Sequence, residues 1–116
     1  MLQVKLENPT PENSCLIELS QGKFAIVDRP EPLGLQYFKW RAIRCNFRWY
    51  AVATSTYTGH KSTVAMHRLI AGTPANEVCH HLNKHSLDNR LCNLMNLTNR
   101  AHAQLHKIRR WRRKNQ

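Results

Sequence analysis

The chain has 116 residues, enough for one compact domain or two small modules sharing a core, which excludes a large enzyme with a separate cofactor domain. Lysine and arginine number 18 against 7 acidic residues, giving a net charge of +11 and an isoelectric point near 10.2. Such an excess of positive charge is typical of proteins that bind polyanions, so nucleic acid is the leading class of partner.

The sequence also limits where the protein works. It contains no apolar run near the ~20 residues that span a bilayer, and its first residues lack the apolar core of a signal peptide. We therefore expect a soluble, intracellular protein of the cytoplasm. Its four cysteines form no closely spaced pair, which predicts free, partly buried thiols at Cys15, Cys45, Cys79 and Cys92.

The first half of the chain has the pattern of β-structure. Residues 1–21 mix Asn, Pro, Ser and Glu around one short apolar group, so at most an ordered edge is expected there. The runs 23–28, 37–45, 49–57 and 62–65 are strand-like, with turns at Asn46 and at 58–61. They predict an N-terminal antiparallel sheet of three to four strands.

From Met66 the apolar residues take on helical spacing, and Gly72 is expected to end this short helix. Further along, 78–82 and 94–98 are predicted as strands that flank a polar loop. A basic C-terminal helix should then run from Arg100 to Gln116, with Thr98 or Asn99 as its N-cap. The predicted fold class is α+β, with a β-rich region over 1–65 and a ββα region over 66–116.

Five of the seven histidines lie between residues 79 and 106. His102 and His106 are four residues apart on the predicted helix, so their side chains share one face about 6 Å apart. Together with His80 they could bind a transition ion and leave positions open for water and phosphate. His81 would remain uncoordinated, with an ordinary pKa of ~6.5 that suits a general base.

Four elements occur in order in this segment: the pair His80-His81, the run LDNR at 87–90, Asn93-Leu94 and His102. Together they resemble the core of the HNH, or ββα-metal, endonucleases of the small phage and intron-associated (homing) kind. The resemblance is specific over 66–106 and weaker upstream, where the strands look like the sheet-bearing N-terminal part of the same nucleases.

The resemblance implies a metal-dependent endonuclease that hydrolyses double-stranded DNA to 5′-phosphate and 3′-hydroxyl ends. His81 would activate the water, Asn93 would fix the loop by a hydrogen bond, and His80, His102 and His106 would hold one divalent ion. Zn²⁺, Ni²⁺, Mn²⁺ and Mg²⁺ are the candidates. Many members have Asp where this chain has His80, so a softer ion is favoured here. The resemblance also fits a phage-encoded protein in a bacterial host, acting as a monomer or a homodimer.

The basic residues around this segment are candidates for contacts with DNA phosphates. From Arg100 onward the chain carries seven lysines and arginines and no acid. The residues that we expect to contact DNA are Arg90, Arg100, Lys107, Arg109 and Arg110.

Two other functions compete with the nuclease. In the first, Cys79, Cys92, His102 and His106 would form the structural zinc site of a non-enzymatic DNA-binding module. The two cysteines are separated by 12 residues, however, whereas zinc fingers place them about 2 to 4 apart. In the second, a basic RNA-binding or ribosome-associated protein would use its charge and its exposed aromatic residues. Metal-dependent nicking of DNA would separate these functions.

Overall fold

A computed structural model describes the backbone of residues 8–56 and 59–114 and the side chains of 8–56 and 59–108. In that part of the chain the fold is α+β, as predicted, with seven strands in three antiparallel sheets and two α-helices. The elements in chain order are β1 Ser14–Glu18, β2 Phe24–Asp28, β3 Arg41–Cys45, β4 Arg48–Ser55, β5 Ser62–Ala65, α1 Met66–Ala71, β6 Glu77–His81, β7 Leu94–Thr98 and α2 Asn99–Lys114.

The first sheet is the hairpin of β1 and β2, in which Ser14 lies opposite Asp28. The expectation of at most an ordered edge before Gly22 is therefore wrong. β1 pairs along its whole length with β2, burying Ser14 and half-burying Cys15 and Ile17. A short apolar group thus becomes a strand because a partner strand lies beside it.

The second sheet has the order β3-β4-β5, so the predicted N-terminal sheet is three-stranded, with the β1-β2 hairpin forming a sheet of its own. β3 begins at Arg41, later than predicted, because Leu35–Tyr37 forms a turn of 3-10 helix. The indole N–H of Trp40 donates to the carbonyl of Leu35, 2.9 Å away, and holds this turn. The predicted strand end at Tyr57 and the start of the following turn at Thr58 lie outside the described residues.

The turn between β3 and β4 consists of Asn46 and Phe47, so the turn predicted at Asn46 is confirmed. Both residues have positive φ, 51° and 66°. Two successive residues with positive φ form the type I′ turn, whose twist matches that of the strands it joins.

The hydrophobic core lies between the β1-β2 hairpin and the three-stranded sheet. Met66 of α1 and Leu87 of the loop after β6 belong to the same buried cluster as the residues of the first half. The segments 1–65 and 66–116 therefore share one core. Its other members are Leu19, Ala25, Val27, Leu35, Trp40, Ala42, Ala51 and Ala53.

The last three elements follow the predicted ββα order. β6 pairs with β7, placing His81 opposite Leu94, and α2 starts directly after β7. The hydroxyl of Thr98 accepts a hydrogen bond from the N–H of Ala101 at 3.1 Å, which caps the helix. α1 ends at Gly72 in the left-handed conformation, as predicted. Neither helix, in the part of the chain described, is long and apolar enough to cross a membrane.

All four cysteines are free thiols. Cys79 is buried and Cys15 half-buried, whereas Cys45 and Cys92 are exposed. Burial thus holds for only two of the four thiols that the sequence predicted to be partly buried.

Candidate active site

The loop between β6 and β7 is held by the side chain of Asn93, which is fully buried. Its amide oxygen accepts the backbone N–H of Asn83 at 2.9 Å, and its amide nitrogen donates to the carbonyl of Asp88 at 2.8 Å. An asparagine suits this place because its amide both accepts and donates. These two bonds cross the loop in the manner that the resemblance implied for Asn93.

An ion pair between Asp88 and Arg90 lies inside the same loop. Nε and Nη2 of Arg90 donate to the two carboxylate oxygens of Asp88, each at 2.8 Å, and both side chains are 3% exposed. Burial alone would raise the pKa of Asp88, but the hydrogen bonds and charge of Arg90 outweigh it and lower that pKa. The guanidinium of Arg90, which the sequence predicted to contact DNA, is therefore buried against Asp88 and turned away from solvent.

Hydrogen bonds also dock the loop on the N-terminal half of the chain. Ile26 in β2 donates its N–H to the carbonyl of Leu87 at 2.8 Å and accepts the N–H of Asn89 at 2.7 Å. The hydroxyl of Ser86 donates to the carbonyl of Trp49 in β4. The loop is thus positioned by two different sheets.

His81 lies on the buried face of β6, with 6% of its surface exposed. Its Nε2 is 2.9 Å from the amide oxygen of Asn89. Since that oxygen accepts, Nε2 carries the proton and Nδ1 is the nitrogen that can take one. Burial lowers the pKa of His81, against the opposing effects of the Asn89 hydrogen bond and the Asp88 charge. The imidazole is therefore neutral at pH 7, the form that a general base requires.

Two aromatic side chains that the sequence did not assign to the site pack around His81. The ring centroids of His67 and His81 are 5.0 Å apart, and those of Tyr50 and His67 are 5.7 Å apart. Burial, together with the neighbouring His81 and Arg68, lowers the pKa of His67 to about 4. Within the described part of the chain, Nδ1 of His67 is buried without a hydrogen-bond partner.

On the other face of β6, His80 points towards α2. The ring centroids of His80 and His102 are 6.1 Å apart, and Nε2 of His102 lies 3.2 Å from Nε2 of His106. This distance suits a hydrogen bond between the two rings. It is also close to the about 3.3 Å between two nitrogens on one tetrahedral ion with metal–nitrogen bonds of about 2.0–2.1 Å.

These histidines fit a metal ion only in part. Among residues 8–56 and 59–108, no group of three or more His, Cys, Asp or Glu is arranged to hold a metal ion. The nitrogens of His102 and His106 already have the spacing of two ligands on one ion. The ring of His80 would have to turn towards them to supply a third. Three neutral imidazoles are a donor set that suits transition ions.

The four residues of the competing zinc site are not brought together. Cys79 alternates with His80 along β6, and its Sγ lies 3.7 Å from the carbonyl oxygen of His67 in α1. Cys92 is exposed in the 3-10 turn Leu91–Asn93. Burial raises the pKa of the Cys79 thiol, and partial desolvation by its surroundings raises that of the exposed Cys92, which opposes the thiolate form that zinc requires.

A cavity of about 540 Å³ joins the two faces of β6. It is lined by five of the seven histidines, and the sheet and loop add the cations Arg48 and Lys84. No aspartate or glutamate is among the described lining residues, so the cavity suits an anion. The lining residues are Asn46, Arg48, Tyr50, His67, Val78, Cys79, His80, His81, Lys84, His102 and His106.

The remaining predicted DNA contacts lie on α2. Arg100, near its start, and Lys107 are exposed. The backbones of Arg109 and Arg110 belong to the same helix, and their side chains lie outside the described part. Asn89 and Lys84 had no role assigned from the sequence, although Asn89 belongs to the LDNR run.

The chain was compared with known protein families, with characterised proteins and with solved structures, and none of the three comparisons found a match.

Proposed function

We propose that the protein is a metal-dependent endonuclease of the HNH type that hydrolyses phosphodiester bonds of double-stranded DNA. The observation that carries this proposal is the neutral, oriented imidazole of His81 in a cavity whose described lining contains no acid and includes His80, His102 and His106. An oriented base next to a potential metal site is the arrangement that hydrolysis of a phosphodiester needs.

In the proposed reaction, Nδ1 of His81 accepts a proton from the water that attacks phosphorus. A bond forms between the water oxygen and phosphorus, the bond to the 3′ oxygen breaks, and that oxygen takes a proton from solvent water, leaving 5′-phosphate and 3′-hydroxyl ends. Asn89 keeps the ring in the orientation that points Nδ1 away from the amide, since its oxygen accepts the Nε2 proton. A divalent ion held by His80, His102 and His106 would supply positive charge that stabilises the phosphate and the departing oxygen.

The cavity supports particular choices of substrate and ion. Arg48 and Lys84 line the cavity, and two cations there support a polyanionic substrate whose phosphate oxygens they would contact. Mg²⁺ prefers carboxylate ligands, which the described lining lacks, whereas imidazole suits Zn²⁺, Ni²⁺ and related ions. We therefore propose that a softer transition ion supports the activity.

Nicking of supercoiled plasmid DNA tests the proposal, with the metal-free protein supplied in turn with Zn²⁺, Ni²⁺, Mn²⁺ or Mg²⁺. His81→Ala should lower the nicking rate by about 10² or more, because a general base is removed. Affinity for the ion and for DNA should remain, since the residue is assigned to proton transfer. His60→Ala is the matched control, because His60 is exposed and lines none of the described cavities. Wild-type nicking by His81→Ala at saturating metal would refute the assignment.

A further inference from the structure

A second cavity, also of about 540 Å³, adjoins the one that contains His81. The two share Arg48 and Lys84, which form the boundary between them. We call this second cavity the side groove. Its wall includes three aromatic rings and three cationic side chains, and no acid is among the described lining residues: Lys23, Phe24, Phe47, Arg48, Trp49 and Lys84.

The most unusual residue of the side groove is Phe47, at the tip of the β3–β4 hairpin. Its surface is 89% exposed, and the neighbour of its ring is the guanidinium of Arg44, whose central carbon lies 5.8 Å from the ring centroid. Its φ of 66° lies in the left-handed region, where the second position of a type I′ turn strongly favours glycine. A phenylalanine there carries backbone strain and exposes an apolar ring, and one exposed contact with Arg44 offsets little of this cost. The position of Phe47 points to contact with a ligand.

The other two rings of the groove are partly exposed: Trp49 is half-buried against the core, and Phe24 is more open. Phe24 is 47% exposed, and Nζ of Lys23 lies 4.9 Å from the ring centroid of Trp49. Exposed rings alternating with cations are the combination by which proteins hold unpaired nucleic acid, because bases stack on the rings while cations contact the backbone. Every base has a face that can stack, so such binding requires little sequence preference.

We propose that the side groove binds an unpaired nucleotide of the DNA strand that enters the active-site cavity. The base stacks on Phe47, and Arg48 and Lys84 hold the phosphate that connects it to the cavity containing His81. That this nucleotide lies next to a scissile phosphate rests on the proposed function. That the side groove binds an unpaired base rests on the residues of the groove itself. The protein should then favour DNA with unpaired bases, such as a gap or a frayed end, over continuous duplex.

The test is fluorescence anisotropy with the full chain in EDTA, comparing a continuous duplex with the same duplex carrying a short single-stranded gap. The protein should bind the gapped DNA about tenfold more tightly, the effect of roughly one stacked base. Phe47→Ala should abolish this preference and leave duplex affinity unchanged, and Phe47→Tyr should keep it. Tyr37→Ala is the matched control, because Tyr37 is 80% exposed and lies outside the groove.

Equal affinity of the wild-type protein for gapped and continuous DNA would overturn the proposal. So would an equal loss of the preference in Phe47→Ala and Tyr37→Ala. Because binding is measured in EDTA, its outcome is independent of cleavage. A protein that shows the gap preference without nicking any DNA refutes the nuclease and supports the groove, whereas nicking without the preference refutes the groove alone.

Discussion

Replacing Asn93 by alanine tests how the candidate active site is held together. The substitution removes the buried bond to the carbonyl of Asp88 and the half-buried bond from the N–H of Asn83. A buried group left without a partner costs about 1–3 kcal/mol, and an ordinary hydrogen bond contributes about 0.5–1.5 kcal/mol. We therefore expect Asn93→Ala to lower the free energy of unfolding by about 2–4 kcal/mol, a large part of the about 5–15 kcal/mol that stabilises a typical protein.

Thermal and urea denaturation, followed by circular dichroism, measure this loss. At about 4–8 °C per kcal/mol for a domain of this size, the melting temperature should fall by about 10 °C or more. Asn96→Ala is the matched control, since Asn96 in β7 also makes two side-chain hydrogen bonds, with Ala71 and Thr73, but is only half-buried. The loss of unfolding free energy in Asn96→Ala should be smaller than that in Asn93→Ala. Equal losses for the two variants, or a loss below about 1 kcal/mol for Asn93→Ala, would refute the reasoning.

Three further predictions concern metal binding, the pH dependence of stability and the binding of DNA. His102→Ala should weaken Zn²⁺ or Ni²⁺ binding and nicking together in calorimetric titration and plasmid assays, because it removes one of few ligands; unchanged affinity would place the ion elsewhere. Because the pKa of Asp88 is lower in the folded protein than its ordinary value of 3.8, its ionised carboxylate stabilises the fold fully above pH 3.8. This contribution to the free energy of unfolding is lost as the pH falls through the folded-state pKa. Asp88→Asn should therefore lower the free energy of unfolding by about 3–5 kcal/mol at pH 7 and by progressively less below pH 3.8, as measured by urea denaturation at each pH. A difference between variant and wild type that does not change with pH would contradict this. Deleting 107–116 should flatten the salt dependence of DNA binding by ~0.9 per lost phosphate contact, provided that circular dichroism shows a folded protein; an unchanged slope would exclude this tail from the interface.

The elements that the sequence predicted well are those set by local patterns. β7 matches its predicted bounds, and the turn at Asn46 and the helix end at Gly72 also appear where expected. In contrast, β1 depends on pairing with β2, a contact between residues that no local periodicity reveals. Local rules predict structure poorly where a distant partner decides it.

The candidate site shows the same limit. Spacing along a helix sufficed to bring His102 and His106 together. The burial of Arg90 depends instead on its ion pair with Asp88. A sequence-based prediction places a basic residue of a polar loop at the surface, because such residues are seldom buried without a partner. Arg48 and Lys84 meet at one cavity because the loop after β6 docks on β4, a contact without any sequence signature.

The docking of the loop on β2 bears on whether the ββα segment 66–116 can be moved into another protein. If residues 66–116 were moved into another chain, by recombination or by design, Ile26 would be left behind. The backbone of Ile26 both donates a hydrogen bond to this loop and accepts one from it. The transferred segment would also lose most of the shared core, since eight of the ten buried core residues described lie before Met66. The first half of the chain therefore supplies contacts that the second half needs, and the two halves are expected to be inherited and exchanged only as one unit.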